Sequence, residues 1–224
     1  MTDASPELAV LIVNYRTGEH LARCLDSLAA RASAVSVETI VVDNASGDGS
    51  EAAARGRDGV RLVENPRNVF LSPAWNQAAR LTTAPWLLFL NPDTELREGT
   101  LADLVALGRA APRAGIVGPM LRNTDGSIYT SGRAFPRIRD AAGHALLGSV
   151  RPGNRFTRRY HLDGWDRTTP REVDWVSGAA MLMPRAAYEA VGGFDERFLL
   201  YGEELDIATR LRAAGWTTRF EPSV

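Results

Sequence analysis

Short apolar runs punctuate the first 120 residues at regular intervals: "LAVLIVN" (8–14), "VETIVVD" (37–43), "GVRLVEN" (59–65), "WLLFLN" (86–91) and "AGIVGPM" (114–120). Apolar runs of this length suit strands buried on both faces. Between them, Leu21, Leu25 and Leu28 repeat on one helical face, and helical patterns fit residues 72–82 and 98–110. Strand and helix alternating at this spacing confine the chain to βαβ units. The expected fold class is therefore α/β: a Rossmann-like, mostly parallel sheet flanked by helices.

After residue 120 the rhythm changes. Asp125-Gly126 sits between β-prone flanks, a hairpin signal. Residues 133–172 are rich in Arg, Pro, Gly and His without a period, and so long a stretch reads as disorder or as a functional loop. "VDWVSGAAMLMP" (173–184) reads as a strand followed by a short helix. Leu205, Ala208, Leu211 and Ala214 then mark a helix starting near Glu203. We expect one domain over 1–224, with an elaborated second half over 121–224.

Composition excludes several functions. The net charge of −1 gives no field to draw nucleic acid. All 26 basic residues are arginine, through coding bias or a preference for bidentate phosphate contacts. The lone Cys24 rules out an internal disulfide and falls in an apolar helical pattern, as core filler. The acidic N-terminus lacks a signal-peptide layout, and no apolar run approaches the ~20 residues of a spanning helix. A cytoplasmic protein with at most peripheral contact at the inner face of the membrane is expected.

In open α/β sheets, ligands bind outside the carboxyl ends of the strands. Three predicted strand ends carry polar groups: Asn14-Tyr15, Asp43-Asn44 and Asn91-Pro92-Asp93-Thr94. Pro92 removes an N–H and ends the ladder, which leaves the Asp93 carboxylate beside a buried strand in need of a partner. Tyr15 could stack on a planar base or pack the rim. Asp43 could accept from a base N–H or a ribose hydroxyl, or with Asn44 cap the next helix. Asp93 could hold a divalent cation or cap the helix at 98–110. A second constellation, Glu203, Glu204 and Asp206, crowds the first turn of a helix, where the macrodipole favours negative charge. Crowded carboxylates also raise one another's pKa, as a general base requires. Arg210 is placed to pair with Asp206 at i,i+4.

The ordered segments "VLIVNYRTGEHLARCLDSL", "IVVDNASGDGS", "LLFLNPDTEL" and "VDWVSGAAMLMPRAAYEAVGGFDERFLLYGEELDIATRLRAAGW" resemble the family-2 glycosyltransferases, which have the GT-A fold. "RRYHLDGWDRTTPREVDWVSGA" is similar to bacterial rhamnosyltransferases that act on polyprenyl-diphosphate-linked GlcNAc. The resemblance implies an inverting, metal-dependent transfer of a sugar from a nucleotide diphosphate to a lipid-linked or glycan acceptor. It makes 1–120 the nucleotide-binding half and 121–224 the acceptor-binding half. Asn14, Tyr15 and Asp43 would bind the nucleotide, with Tyr15 on the base and Asp43 on its imide N–H. Asn91 and Asp93 stand in the Asp-x-Asp signature, so Asp93 would bind Mg²⁺ or Mn²⁺ bridging the donor diphosphate. Glu204 would be the base, with Glu203 and Asp206 as competitors. Trp175, Ser177 and Gly178 would form the acceptor side, joined by Arg158 and Arg159 as diphosphate ligands.

The chain also departs from that pattern. Val69 stands where relatives carry Gly, so a different local turn is expected. Relatives continue past "FEPSV" with a His-containing segment and further helices, so a C-terminal segment is expected to be missing; His20, His144 and His161 do not match its position. A non-catalytic nucleotide-sugar-binding module is the main rival, and a family-2 enzyme using another donor such as a UDP-sugar is another. A dinucleotide oxidoreductase would need a Gly-x-Gly-x-x-Gly turn after the first strand, where "VNYRTGEH" stands. A sugar-nucleotide pyrophosphorylase would want a lysine-bearing phosphate loop, and this chain has no lysine.

Overall fold

The computed structural model describes residues 5–31, 35–135, 162 and 164–224. Strands β1 (Leu8–Asn14), β2 (Val37–Asp43), β3 (Val60–Glu64), β4 (Trp86–Leu90) and β5 (Ala114–Pro119) come from the first half of the chain. Strands β6 (Arg171–Val173), β7 (Ala180–Pro184) and β8 (Thr217–Glu221) come from the second. All join one eight-stranded sheet in the order β3-β2-β1-β4-β7-β5-β8-β6. The first four in that order run parallel, β7 runs antiparallel to both β4 and β5, and β8 runs parallel to β5. The edge strand β6 is antiparallel to β8.

Every residue of β1 is buried, as expected of a central strand covered on both faces. Its alternating side chains feed two cores. On one face Ala9, Leu11 and Val13 meet Trp75 of α2 (Leu71–Arg80), Tyr188 of α4 (Arg185–Ala190) and Ile207 and Leu211 of α5 (Glu203–Ala213). On the other, Leu8, Val10 and Ile12 meet α1 (His20–Ala30) through Leu21, Cys24, Leu25 and Leu28. That face also holds Leu101, Leu104 and Val105 of α3 (Leu101–Ala110). The i, i+3, i+4, i+7 spacing on α1 is the apolar stripe of a helix laid on a sheet. Cys24 is fully buried there, and burial pushes its thiol up to about 12, which makes it an inert core residue. Helix α3 begins in a capping box: Thr100 Oγ1 accepts from the Asp103 N–H while the Asp103 carboxylate accepts from the Thr100 N–H.

Three local expectations change. The stretch 173–184 is not one strand: β6 stops at Val173, and β7 starts at Ala180, three places away from it in the sheet order. The polar turn after β2 leads only into a short 3₁₀ turn, Ser50–Ala53, without a side-chain cap. The turn at Val69 places its left-handed residue one position later, at Phe70, with φ 68° and ψ −177°. That backbone region is almost exclusive to glycine, so the turn holds strain of about 1–3 kcal/mol. Among the described residues, no helix is long and apolar enough to cross a membrane.

Candidate active site

The three polar strand ends lie along one edge of the sheet. Asn14 pairs in register with Asp43, and Ile12 with Leu90, so the carboxyl ends of β2, β1 and β4 are adjacent. Because β7 is antiparallel to β4, its beginning, not its end, joins the same edge: Leu90 pairs with Ala180, and the Asn91 N–H donates to the Ala179 carbonyl at 2.9 Å. That reversal sets Ser177 and Gly178 beside "NPD". The N-terminus of α5 approaches from above.

A cleft of about 760 Å³ opens at this junction, and Asn91, Asp93, Ser177, Gly178, Glu203 and Glu204 all line it. Asp93 is exposed, on a turn closed by Thr94, whose N–H and Oγ1 both donate to the Asn91 carbonyl at 3.2 and 2.7 Å. Glu203 is buried, Glu204 half-buried, and the Oε2 atom of each is buried without a hydrogen-bond partner. Burial raises the Glu203 carboxyl above the ordinary carboxylate range, and the neighbouring Glu204 charge adds to the effect. The Gly178 backbone abuts Glu204: a Cβ there would lie 3.9 Å from the Glu204 Cβ and carboxyl carbon.

The remaining sequence candidates divide by position. Asp206 is tied to Arg210 at 2.6 Å and is absent from the cleft lining, so its charge is already answered. Trp175 is buried, its Nε1 donating to the Ala134 carbonyl at 3.1 Å, and it supports the cleft from behind without lining it. Asn14, Tyr15 and Asp43 lie along the same edge but outside the cleft lining. Tyr15 is 42% exposed, with the Arg16 guanidinium 5.3 Å from its ring centroid. Asp43 is buried. Its Oδ1 accepts from Asn14 Nδ2 (2.7 Å) and Ser46 Oγ, and its Oδ2 from the Ser46 N–H (3.0 Å). A carboxylate offers about four lone-pair sites, so Oδ2 retains acceptor capacity beyond the Ser46 N–H. The 3₁₀ turn after Asp43 has no side-chain cap, so capping does not account for its burial. Arg158 and Arg159 lie outside the described residues.

Among the described residues, no group of three or more His, Cys, Asp or Glu side chains is gathered to enclose a metal ion. An exposed Asp93 lining a cleft would instead offer one carboxylate to a hard cation of the Mg²⁺ type. Such ions bind through one or two carboxylates, with phosphate oxygens and water completing the shell. The residues present fit a cation carried with a diphosphate, and do not fit a closed protein cage. Two cleft residues escaped the sequence reading. Arg133 was lost in an unperiodic Arg-rich stretch, and Tyr201, 81% exposed at the mouth with φ 67°, had only its place next to "GEE" to mark it.

A mixed α/β sheet with helices on both faces and an acidic cleft across the ends of its central strands is the GT-A fold. A mannosyltransferase, PcManGT from Pyrobaculum calidifontis, solved with GDP-Man and Mn²⁺, superposes with a TM-score of 0.66 over 99% of this chain at 19% identity. Staphylococcus aureus TarS (residues 1–349) superposes with a TM-score of 0.65 over 97% of this chain at 14% identity. The chain spans 56% and 58% of those two proteins. By sequence it belongs to glycosyl transferase family 2, whose profile matches residues 9–189. It is 35% identical to the N-acetylglucosaminyl-diphospho-decaprenol L-rhamnosyltransferase of Mycobacterium tuberculosis, over all of this chain and 75% of that protein.

Proposed function

We propose that this family-2 glycosyltransferase moves a sugar, L-rhamnose from dTDP-rhamnose, onto a polyprenyl-diphosphate-linked GlcNAc or related envelope glycan, with inversion. The observation that carries this reading is the meeting in one cleft of Asp93 with two glutamates whose Oε2 atoms have no partner. The 35% identity to the mycobacterial rhamnosyltransferase supports the choice of L-rhamnose and of the lipid-linked GlcNAc acceptor.

In this reading Asp43 and Tyr15 hold the base at the rim of β1 and β2, and Asn91 and Asp93 meet the donor diphosphate. Ser177 and Gly178 border the acceptor. Glu204, half-buried and with no hydrogen-bond partner at Oε2, takes the proton from the acceptor hydroxyl as it attacks the anomeric carbon in line. Glu203, more deeply buried, lines the same cleft beside it. Pairing with Arg210 speaks against Asp206 as the base. A divalent cation, Mg²⁺ or Mn²⁺, bound through Asp93 would offset the charge on the departing nucleoside diphosphate.

The test is a thermal-shift titration with dTDP-rhamnose and UDP-GlcNAc, with and without Mn²⁺, followed by a transfer assay. A ligand at 100 times its Kd adds roughly 2.7 kcal/mol of stability. A Mn²⁺-dependent shift with dTDP-rhamnose should vanish in Asp93→Ala. Glu204→Gln should keep the shift and lose roughly 10²–10⁴-fold in turnover. Turnover in Glu204→Gln within a few-fold of wild type would refute the base assignment, and donor binding without transfer would favour a non-catalytic binding module.

A further inference from the structure

We propose that Arg133 is an anion-binding residue of the cleft, and that the group it holds is the diphosphate of the acceptor. The inference rests on the glycosyl-transfer reading above for the identity of that acceptor.

Arg133 follows the hairpin closed by the Asn123 N–H to Ser127 carbonyl bond, and it is anchored at its backbone. Its N–H donates to the Trp175 carbonyl at 3.0 Å, and the Trp175 N–H donates back at 3.2 Å. Its side chain is held from several directions. The guanidinium carbon lies 5.0 Å from the Trp175 ring centroid and 5.6 Å from that of Tyr129. Nε donates to the Thr130 carbonyl at 2.8 Å and Nη2 to the Tyr129 hydroxyl at 3.0 Å.

Every one of these partners is neutral. Two other half-buried arginines do find carboxylates: Arg210 pairs with Asp206, and Arg185 with Glu189. Among the described residues no carboxylate pairs with Arg133, although it lines the same cleft as Asp93, Glu203 and Glu204. A guanidinium has five N–H donors, and the two hydrogen bonds leave Nη1 uncommitted. Stacked between aromatic rings, with its charge unanswered, it is a preorganised fork of the kind that binds phosphate through two parallel hydrogen bonds.

The donor also carries a diphosphate, so position has to choose between the two sources. Arg133 is bonded to the segment that delivers Ser177 and Gly178 to the start of β7. The proposed nucleotide residues Asn14, Tyr15 and Asp43 stand at the ends of β1 and β2, across β4 in the sheet order. An anion at Arg133 therefore enters from the β7 side, the side assigned to the acceptor.

The experiment is calorimetric titration without donor or turnover, using GlcNAc linked to farnesol through a diphosphate and the same sugar joined directly as a neutral farnesyl glycoside. Wild type, Arg133→Gln and Arg133→Lys are compared, and dTDP with Mn²⁺ is titrated in parallel. Losing a charge-assisted pair should weaken the diphosphate ligand roughly 10–100-fold in Arg133→Gln. Arg133→Lys should recover part of the loss, while the neutral glycoside and dTDP bind as in wild type. Equal affinity of wild type and Arg133→Gln for the diphosphate ligand overturns the proposal. Equal weakening of the neutral glycoside does so too, because it marks a packing role, and weakening confined to dTDP assigns the anion to the donor. Arg133-dependent diphosphate binding in a protein that transfers no sugar would uphold this proposal and sink the functional reading instead.

Discussion

Replacing Asp43 with alanine tests the proposed nucleotide rim and the fold beneath it together. The carboxylate is 4% exposed and accepts three hydrogen bonds, from Asn14 Nδ2, Ser46 Oγ and the Ser46 N–H. Two of these donors have somewhere else to turn. Asn14 Nδ2 also reaches Ser50 Oγ at 2.8 Å and Ser46 Oγ at 3.1 Å, and the Ser46 hydroxyl can rotate toward its neighbours. The buried Ser46 N–H has no second acceptor, so alanine orphans it, at a cost of about 1–3 kcal/mol. With the lost bonds to a charged acceptor, the total should reach about 2–4 kcal/mol. For a chain of this size that is a fall in Tm of about 4–16 °C. Asp43→Asn keeps the volume and one acceptor oxygen, so it should melt closer to wild type. If Asp43 Oδ2 takes a base N–H, that variant should still weaken dTDP binding by roughly tenfold, the worth of one charge-assisted hydrogen bond. Calorimetric unfolding and nucleotide titration on the same preparations read both effects. An Asp43→Ala protein melting within about 1 °C of wild type would refute the energetic argument, since an orphaned buried donor cannot be that inexpensive.

Two further outcomes follow from buried groups. Burial holds the Glu203 carboxyl above its ordinary value of 4.5, so the folded chain binds that proton more tightly than the unfolded chain does. Stability from this group is therefore full below pH 4.5 and is lost as pH rises through the folded pKa. Glu203→Gln should accordingly melt above wild type at pH 7, with the gap closing below pH 4.5, in thermal scans across pH; a constant gap would contradict the cause assigned. Gly193 has φ 77°, and a Cβ there would meet Tyr188 Oη at 2.7 Å and Asn76 Oδ1 at 2.9 Å. Those two atoms are buried and bonded to each other at 2.6 Å, so neither can yield. Gly193→Ala should cost about 2–5 kcal/mol from strain and overpacking together, and a denaturant midpoint unchanged from wild type would rule that out.

Much of this protein is legible from local pattern, because local pattern is what a strand or a helix needs. Seven residues from Leu8 to Asn14, apolar up to the last, can only be satisfied between two covered faces, and β1 is buried throughout. The four parallel strands end where the polar residues begin, and α5 starts at Glu203. The Asp206–Arg210 pair was readable too, since i,i+4 contacts belong to a single helix. What the sequence could not contain was which distant segments would meet. No local signal says that β7 enters antiparallel between β4 and β5, yet that one pairing brings Ser177 and Gly178 beside Asp93 and turns Trp175 inward. The same holds for the proposed base: Glu203, Glu204 and Asp206 are equivalent as letters. Only packing buries the first, pairs the last and leaves the middle one half-open to the cleft. Arg133 was one arginine among many until Tyr129 and Trp175 closed around it. Periodicity is a property of neighbours along the chain, whereas burial and partnership are set by neighbours across it.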